Sequence, residues 1–271
     1  MLLAIAVLAA SPVRAQPIAV ARIAEIVTSP DRSAADRTND LRRKLLDMLA
    51  FIAIHPGIAA FDVSAAGGYT TELLARAVGP TGRVFGQSRP AGAAASAPPA
   101  QREGNSRPDL ASAARARALS PSPVALAERA EKLRAAHVAA APIVAVFRPF
   151  EDPVPPELAG KLDLMTLMFN YHDLGHIGVD RTAMNSAVFA ALKPGGEYVI
   201  ADHAGRPGTG ISESGTPHRI EEAFLRQQVE AAGFKLAEEG MFLRNANDPR
   251  DHNPPDPPQP KDEFVLKFVK P

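Results

Sequence analysis

Strand-forming and helix-forming patterns alternate from residue 58 to the C-terminus, and this alternation limits the fold more than any other feature of the chain. Ile58–Val63 is a short apolar run carrying Asp62 near its end. Ser64-Ala65-Ala66-Gly67-Gly68 follows, and Tyr69–Val78 then has apolar residues at helical spacing. Gly79-Pro80-Thr81-Gly82 breaks that helix, and Arg83–Gln87 reads as a second strand. The pattern resumes with a helix over Val124–His137, strands over Ile143–Phe147 and Leu162–Phe169, a helix over Asp180–Leu192 and a strand over Glu197–Ala201. A helix over Pro217–Ala232 and strands over Phe234–Met241 and Glu263–Val269 complete it. Parallel strands need a crossover, usually a helix, so strands joined this way predict a Rossmann-like, doubly wound α/β sheet with helices on both faces. No helix separates the last two strands, which are expected as an antiparallel hairpin at one edge of a mostly parallel sheet.

Three segments fall outside this frame. Leu2–Ala10 is apolar but too short to span a bilayer, which takes about 20 residues. With Pro12 behind it and small Val13 and Ala15 at the positions a signal peptidase reads, residues 1–15 are expected to be a signal peptide cleaved after Ala15. The mature protein would then be periplasmic or secreted, with no stable membrane insertion. Residues 16–57 form a helical extension whose main element is an amphipathic helix over Asp40–Ile54, stopped by His55-Pro56-Gly57. Ser88–Ser122, inside the 58–271 domain, is mostly Ala, Pro, Ser, Gly and Arg and is expected to be a disordered insertion, since it has little to bury against the entropy of ordering.

Composition removes several kinds of chemistry. The chain has no cysteine, so disulfides, thiolate zinc sites, iron–sulfur clusters and a cysteine nucleophile are excluded. Thirty basic and thirty acidic residues leave no net charge to attract nucleic acid. A small-molecule substrate is the expected partner. In a doubly wound sheet ligands bind beyond the carboxyl ends of the strands, where strand order reverses. Here those ends are Asp62–Gly68, Gln87-Ser88, Phe150-Glu151, Asn170–Asp173 and Asp202-His203, and the glycine-bearing loop Gly205–Thr216 before His218-Arg219 is a candidate lid. His172, Asp173, His176, Asp202, His203 and His218 also supply imidazoles and carboxylates of the kind that bind a divalent ion and activate water. Gly175 and Gly178 argue for loop between the first two histidines. No metal ligand is therefore assigned, and a metal-dependent hydrolase is kept only as an alternative.

Four stretches in this order resemble the class I S-adenosylmethionine-dependent methyltransferases: Phe61–Tyr69, Asp163–Asp173, Leu192-Lys193-Pro194-Gly195-Gly196 and Glu230-Ala231-Ala232-Gly233-Phe234. The resemblance runs from about Asp40 to the C-terminus. Asn170-Tyr171-His172-Asp173, Asn245–Asn253 and the final Phe264–Pro271 are similar, more narrowly, to a group of exported bacterial proteins described as predicted methyltransferases. It implies S-adenosylmethionine as cofactor, with Asp62 and the loop positions Ser64, Ala66 and Gly68 around its amino-acid part. Phe150 and Glu151 would hold the adenine, and Asn170 to Asp173 would line the methyl-transfer site. The sequence departs from the family at Ser64 and Ala66, where glycines are usual, and at Gln87, where an acidic residue usually accepts from the ribose hydroxyls.

Methyl transfer needs a base only if the acceptor is protonated, and His172 or Asp173 would be that base. The structural alternative is that Asp173 caps the next helix, His172 packs on the rim, and Asp62 is a turn carboxylate bonding nearby N–H groups. A noncatalytic or altered-ligand binding protein on the same fold is the alternative function.

Overall fold

The computed structural model describes residues 16–90, 122–253 and 260–271. The expected signal peptide and most of the expected insertion lie outside the described residues. No helix among the described residues is long and apolar enough to cross a membrane.

Three helices precede the sheet: α1 (Val20–Thr28), α2 (Ala34–Arg42) and α3 (Leu45–Ile52). Ile23 and Ile26 of α1 and Leu45, Met48, Leu49 and Ile52 of α3 are buried in one cluster with Leu73, Leu74, Ala77 and Val78 of α4 (Tyr69–Val78). The single helix expected over 40–54 is therefore two. Lys44 breaks it with φ 44°, because side chains on either side of the break are drawn to different parts of the fold. Arg42 reaches Glu263 at 3.3 Å, and Arg43 lies over the rings of Phe169 and Tyr69, 4.6 and 4.9 Å from their centroids. Lys44 Nζ donates to the carbonyl of Phe242. Helix propensity is too weak a preference to resist such contacts.

Seven strands form one sheet: β1 (Ala59–Asp62), β2 (Arg83–Ser88), β3 (Ile143–Phe147), β4 (Leu162–Met168), β5 (Leu192–His203), β6 (Lys235–Gly240) and β7 (Glu263–Val269), in the order β3-β2-β1-β4-β5-β7-β6. The first five run parallel, and β7 is antiparallel to both of its neighbours. The expected hairpin is thus present, with β6 on the edge and β7 inserted beside β5. Strand order reverses between β1 and β4, the switch point at which this architecture opens a crevice. Buried Leu164, Met165, Thr166 and Leu167 of β4 explain why that strand reads as one apolar run: it is covered on both faces.

Helices α5 (Ser122–Ala135), α6 (Asp173–His176), α7 (Arg181–Ala191) and α8 (Glu222–Ala231) follow among the described residues, and a 3-10 turn spans Pro156–Leu158. Two expected boundaries shift for tertiary reasons. Lys193–Gly196, read as a turn before β5, bulges out within it: Leu162 pairs with Leu192 and Leu164 with Glu197, so four residues of β5 face one of β4. The helix expected from Pro217 begins at Glu222, because Ile220 bridges to Ala204 and Arg219 is engaged elsewhere.

Candidate active site at the carboxyl ends of the strands

The loop after β1 has left-handed backbone at alternate positions, with φ 60° at Ser64, 47° at Ala66 and 73° at Gly68. Only the third is glycine. A Cβ at residue 68 would lie 2.8 Å from both Arg129 Cδ and Leu126 Cδ2, so close packing against α5 demands glycine there as well. The loop is tied to its neighbours: Ser64 N donates to Gln87 Oε1 at 2.9 Å, Ala65 N to the Gln87 carbonyl at 2.9 Å, and Ser64 Oγ to Asn170 Oδ1 at 2.5 Å. Gln87 is fully buried and its other amide end donates to the Arg148 carbonyl at 2.7 Å. Expected at the ribose, it instead clamps two loops together.

Asp62 is turned inward too. Its carboxylate accepts from Thr71 Oγ1 at 2.6 Å and Thr166 Oγ1 at 2.9 Å. Burial dominates over these bonds and over the nearby Arg43 charge, pushing its pKa up to about 6. It holds the start of α4 against β4 rather than presenting oxygen to a ligand. Phe150 is buried in the main core, and Glu151 lies half-buried beside it.

The segment after β4 is built differently. His172 is buried, and both of its ring nitrogens face carboxylates: Nδ1 lies 2.6 Å from Asp202 Oδ1 and Nε2 3.1 Å from Asp173 Oδ1. Asp202, fully buried, also accepts from the His172 backbone N–H at 2.7 Å. Burial alone would depress the imidazole pKa, but the charges of Asp202 and Asp173 outweigh it and raise it to about 10. In this state His172 is a donor at both nitrogens, so the expected base role requires that it first lose a proton. Asp173 is held ionised: burial opposes this, but the His172 charge and hydrogen bonds from His172 and His218 keep its pKa far below the usual carboxylate range. Asp180, not Asp173, caps the next long helix, accepting from Ala183 N at 3.0 Å, and His172 is interior rather than on the rim.

Around Asp173 the structure gathers the histidines that the sequence left scattered. His218 Nδ1 lies 2.9 Å and His176 Nδ1 3.8 Å from Asp173 Oδ1, while Asn170 Nδ2 donates to Asp173 Oδ2 at 2.8 Å. The His203 ring stacks 5.1 Å from that of His172. The expectation of loop at 173–178 is corrected in part: Asp173–His176 is one helical turn. Gly175 is there for a close approach, since a Cβ would meet Ile211 Cγ1 at 2.7 Å and Ser214 Oγ at 3.0 Å.

That approach brings residues 205–219 down over the cluster. Ser214 Oγ donates to the His172 carbonyl and accepts from His176 N at 2.9 Å. Arg219 fastens the segment from below, bonded to Asp248 at 2.8 and 3.2 Å and to the Ala204 carbonyl at 3.0 Å. Lys261 and Glu263, at the start of β7, face the same region; burial, with help from the Arg219 charge, lowers the Lys261 pKa to about 8. Sequence reasoning included Ser214 only as part of the candidate lid Gly205–Thr216 and did not find Lys261 or Glu263, which no local pattern marks.

No family model matches the chain, and no curated protein matches it. Among solved structures it is similar to a SAM dependent methyltransferase from Aquifex aeolicus, at 13% identity over 94% of this chain and 100% of that one, with a TM-score of 0.50. It is also similar to the 4+2 cyclase SpnF, at 15% identity over 90% of this chain and 86% of that one, with a TM-score of 0.52. At such identity the likeness speaks to architecture alone. The chain has the Rossmann-like fold of the methyltransferases, and the cluster of His172, Asp173, Asp202 and His218 lies at the strand ends where that fold leaves its crevice.

Proposed function

We propose that the protein transfers a methyl group from S-adenosylmethionine to a small-molecule acceptor. The observation that carries the reading is the Ser64 Oγ to Asn170 Oδ1 hydrogen bond. It joins the loop after β1 to the loop after β4 across the switch point, so a ligand lying along Ser64–Gly68 ends beside Asn170, His172 and Asp173.

The backbone of that loop fits the amino-acid part of the cofactor: it keeps left-handed turns at 64, 66 and 68 although two of the three residues are not glycine. When bound, the cofactor supplies a sulfonium-activated methyl group, taken by in-line displacement. Ser64, Ala66 and Gly68 would hold it, with Phe150 and Glu151 toward the adenine. Asp62 acts through Thr71 and Thr166, fixing the loop rather than touching the ligand. Asp173, 28% exposed and held ionised by His172 and His218, would orient an acceptor by accepting a hydrogen bond from it; the same stabilisation makes it too weak a base for the proton-removing role expected of it. With residues 1–15 removed on export, this chemistry would take place outside the cytosol.

Gln87 favours a second reading, a binding protein whose ligand has changed, because its buried amide is already bonded at both ends. Calorimetric titration with S-adenosylmethionine and then S-adenosylhomocysteine separates the two. Micromolar binding of both is expected; no heat at millimolar ligand would retire methyl transfer and leave the altered-ligand reading.

A further inference from the structure

We propose that His172, Asp173 and His218 bind a divalent first-row transition-metal ion, with His176 at the margin of the site. One ligand atom from each of the three lies within 4.8 Å of the others. The spacing about Asp173 Oδ1 is close to that of a coordination shell: His172 Nε2 is at 3.1 Å and His218 Nδ1 at 2.9 Å. Donors bonded tetrahedrally to one ion at about 2.0–2.2 Å lie roughly 3.3–3.6 Å apart, so an ion would replace the protons now shared at Asp173 Oδ1 with outward shifts of a few tenths of an ångström. Two imidazoles and a carboxylate suit zinc, iron, cobalt or nickel better than calcium or magnesium, which prefer oxygen.

Three further features separate this arrangement from a chance meeting of polar groups. His172 is oriented from behind by the fully buried Asp202, which accepts at Nδ1 and leaves Nε2 for the site. Metal-bound histidines are typically fixed in this way, by a carboxylate on the nitrogen away from the ion. Asp173 is oriented as well, because Asn170 Nδ2 occupies Oδ2 and turns Oδ1 toward the imidazoles. His218 is buried, with 8% of its surface exposed, and its Nδ1 is turned to Asp173 Oδ1. A donor set held from behind, around an acceptor that remains 28% exposed to solvent, has both the preorganisation and the entry path a metal site needs.

The site shares His172, Asp173 and His218 with the acceptor end of the proposed methyl-transfer site, but its test contains no S-adenosylmethionine, so the two readings can fail separately. The full chain, stripped of metal by chelation and dialysis, is titrated with Zn2+ by calorimetry and with Co2+ in the visible spectrum. One Zn2+ per chain at micromolar affinity or tighter is expected, with an intense Co2+ band from nitrogen and oxygen ligands. His218→Ala and Asp173→Asn should each weaken Zn2+ by about tenfold or more. Asp202→Asn should weaken it roughly 10–100-fold and shift the Co2+ band, as loss of an orienting partner does. His137→Ala, at an exposed position far along the chain from these loops, should change nothing. Absence of Zn2+ binding at micromolar concentrations, or equal binding by His218→Ala and Asp173→Asn, overturns the proposal. If either variant fails to fold, the wild-type Co2+ spectrum decides, since weak bands like those of the hydrated ion would also overturn it.

Discussion

The two halves of the strand-end crevice are both rich in buried polar groups, yet they are built on opposite terms. On the β1–β2 side the groups are spent on one another: Asp62 on two threonines, Gln87 on two backbone groups. Just beyond, the fully buried Glu72 of α4 is enclosed by Arg76 at 2.8 Å, Arg129 and Arg32 at 3.9 Å, which in turn meet Asp31, Asp36 and Asp40. A guanidinium neither gives up its proton nor ligates a metal, so such a network is chemically closed. On the β4–β5 side Arg219 and Lys261 stand behind the cluster, and the groups facing Asp173 are imidazoles, which do both. Difference in side-chain type, more than in burial or charge, thus makes one half a scaffold and leaves the other room for chemistry.

The sharpest way to break this contrast is to titrate Asp62, the carboxylate at the heart of the closed half. Its folded pKa of about 6 exceeds the unfolded value of 3.8, so the folded protein binds the proton more tightly. The stability this contributes is fully present below about pH 3.8 and is lost as pH rises through about 6, by roughly 3 kcal/mol for a shift of about two units. Asp62→Asn removes the charge and keeps one acceptor for a threonine. Measured by urea unfolding from pH 4 to 7.5, the variant should gain on the wild type by about that amount as pH rises. Parallel profiles would mean that the Asp62 carboxylate is not confined as described, and that the first half is open to a ligand after all.

Gly175→Ala probes the other half. The added Cβ would press on Ile211 and Ser214, the buried side chains with which residues 205–219 pack on the cluster, and overpacking of this kind costs about 1–3 kcal/mol. The segment should lift from the histidine cluster, seen as new proteolytic cleavage between Gly205 and Thr216 together with the lower stability. A variant that resists protease as well as the wild type would show that the segment is fastened by Arg219 and Asp248 alone.

How far each half could be read from the sequence follows from the same difference. The sheet was legible because its strands are short, largely apolar runs separated by helical patterns and turns, and Ile143–Phe147, Glu263–Val269 and the helix Tyr69–Val78 have the bounds their patterns suggest. The break at Lys44 and the bulge at Lys193–Gly196 were not, because each is decided by partners distant in the chain. His172 and Asp173 could be marked as strand-end residues. The pairing of Asp202 with His172 was within reach, since Met168 and Ala201 are partners in adjacent parallel strands whose ends must then adjoin. Ser214 lay in the candidate lid and His218 was marked as a possible ligand, but their partners were beyond reach: 42 and 45 residues separate them from the groups they meet. Gly175 misled for a physical reason, as glycine marks close approach as readily as it marks loop.

The smallest effect tests whether the closed half still has a face for a ligand. Ala66 is exposed and its φ of 47° places a Cβ in a conformation that costs an L-residue about 1–2 kcal/mol. Glycine there would relieve the strain but lose about 0.5–1 kcal/mol more entropy on folding, so Ala66→Gly should stabilise the protein by no more than about 1.5 kcal/mol in thermal unfolding. Its affinity for S-adenosylmethionine is the informative quantity. If the donor lies along Ser64–Gly68, removing the Cβ lets it approach the backbone and calorimetry should register tighter binding. If stability rises slightly and affinity does not move, the Cβ is outside the donor's path. The loop would then be a support for Asn170 and the histidines, and the crevice's ligand would be held from the β4–β5 side alone.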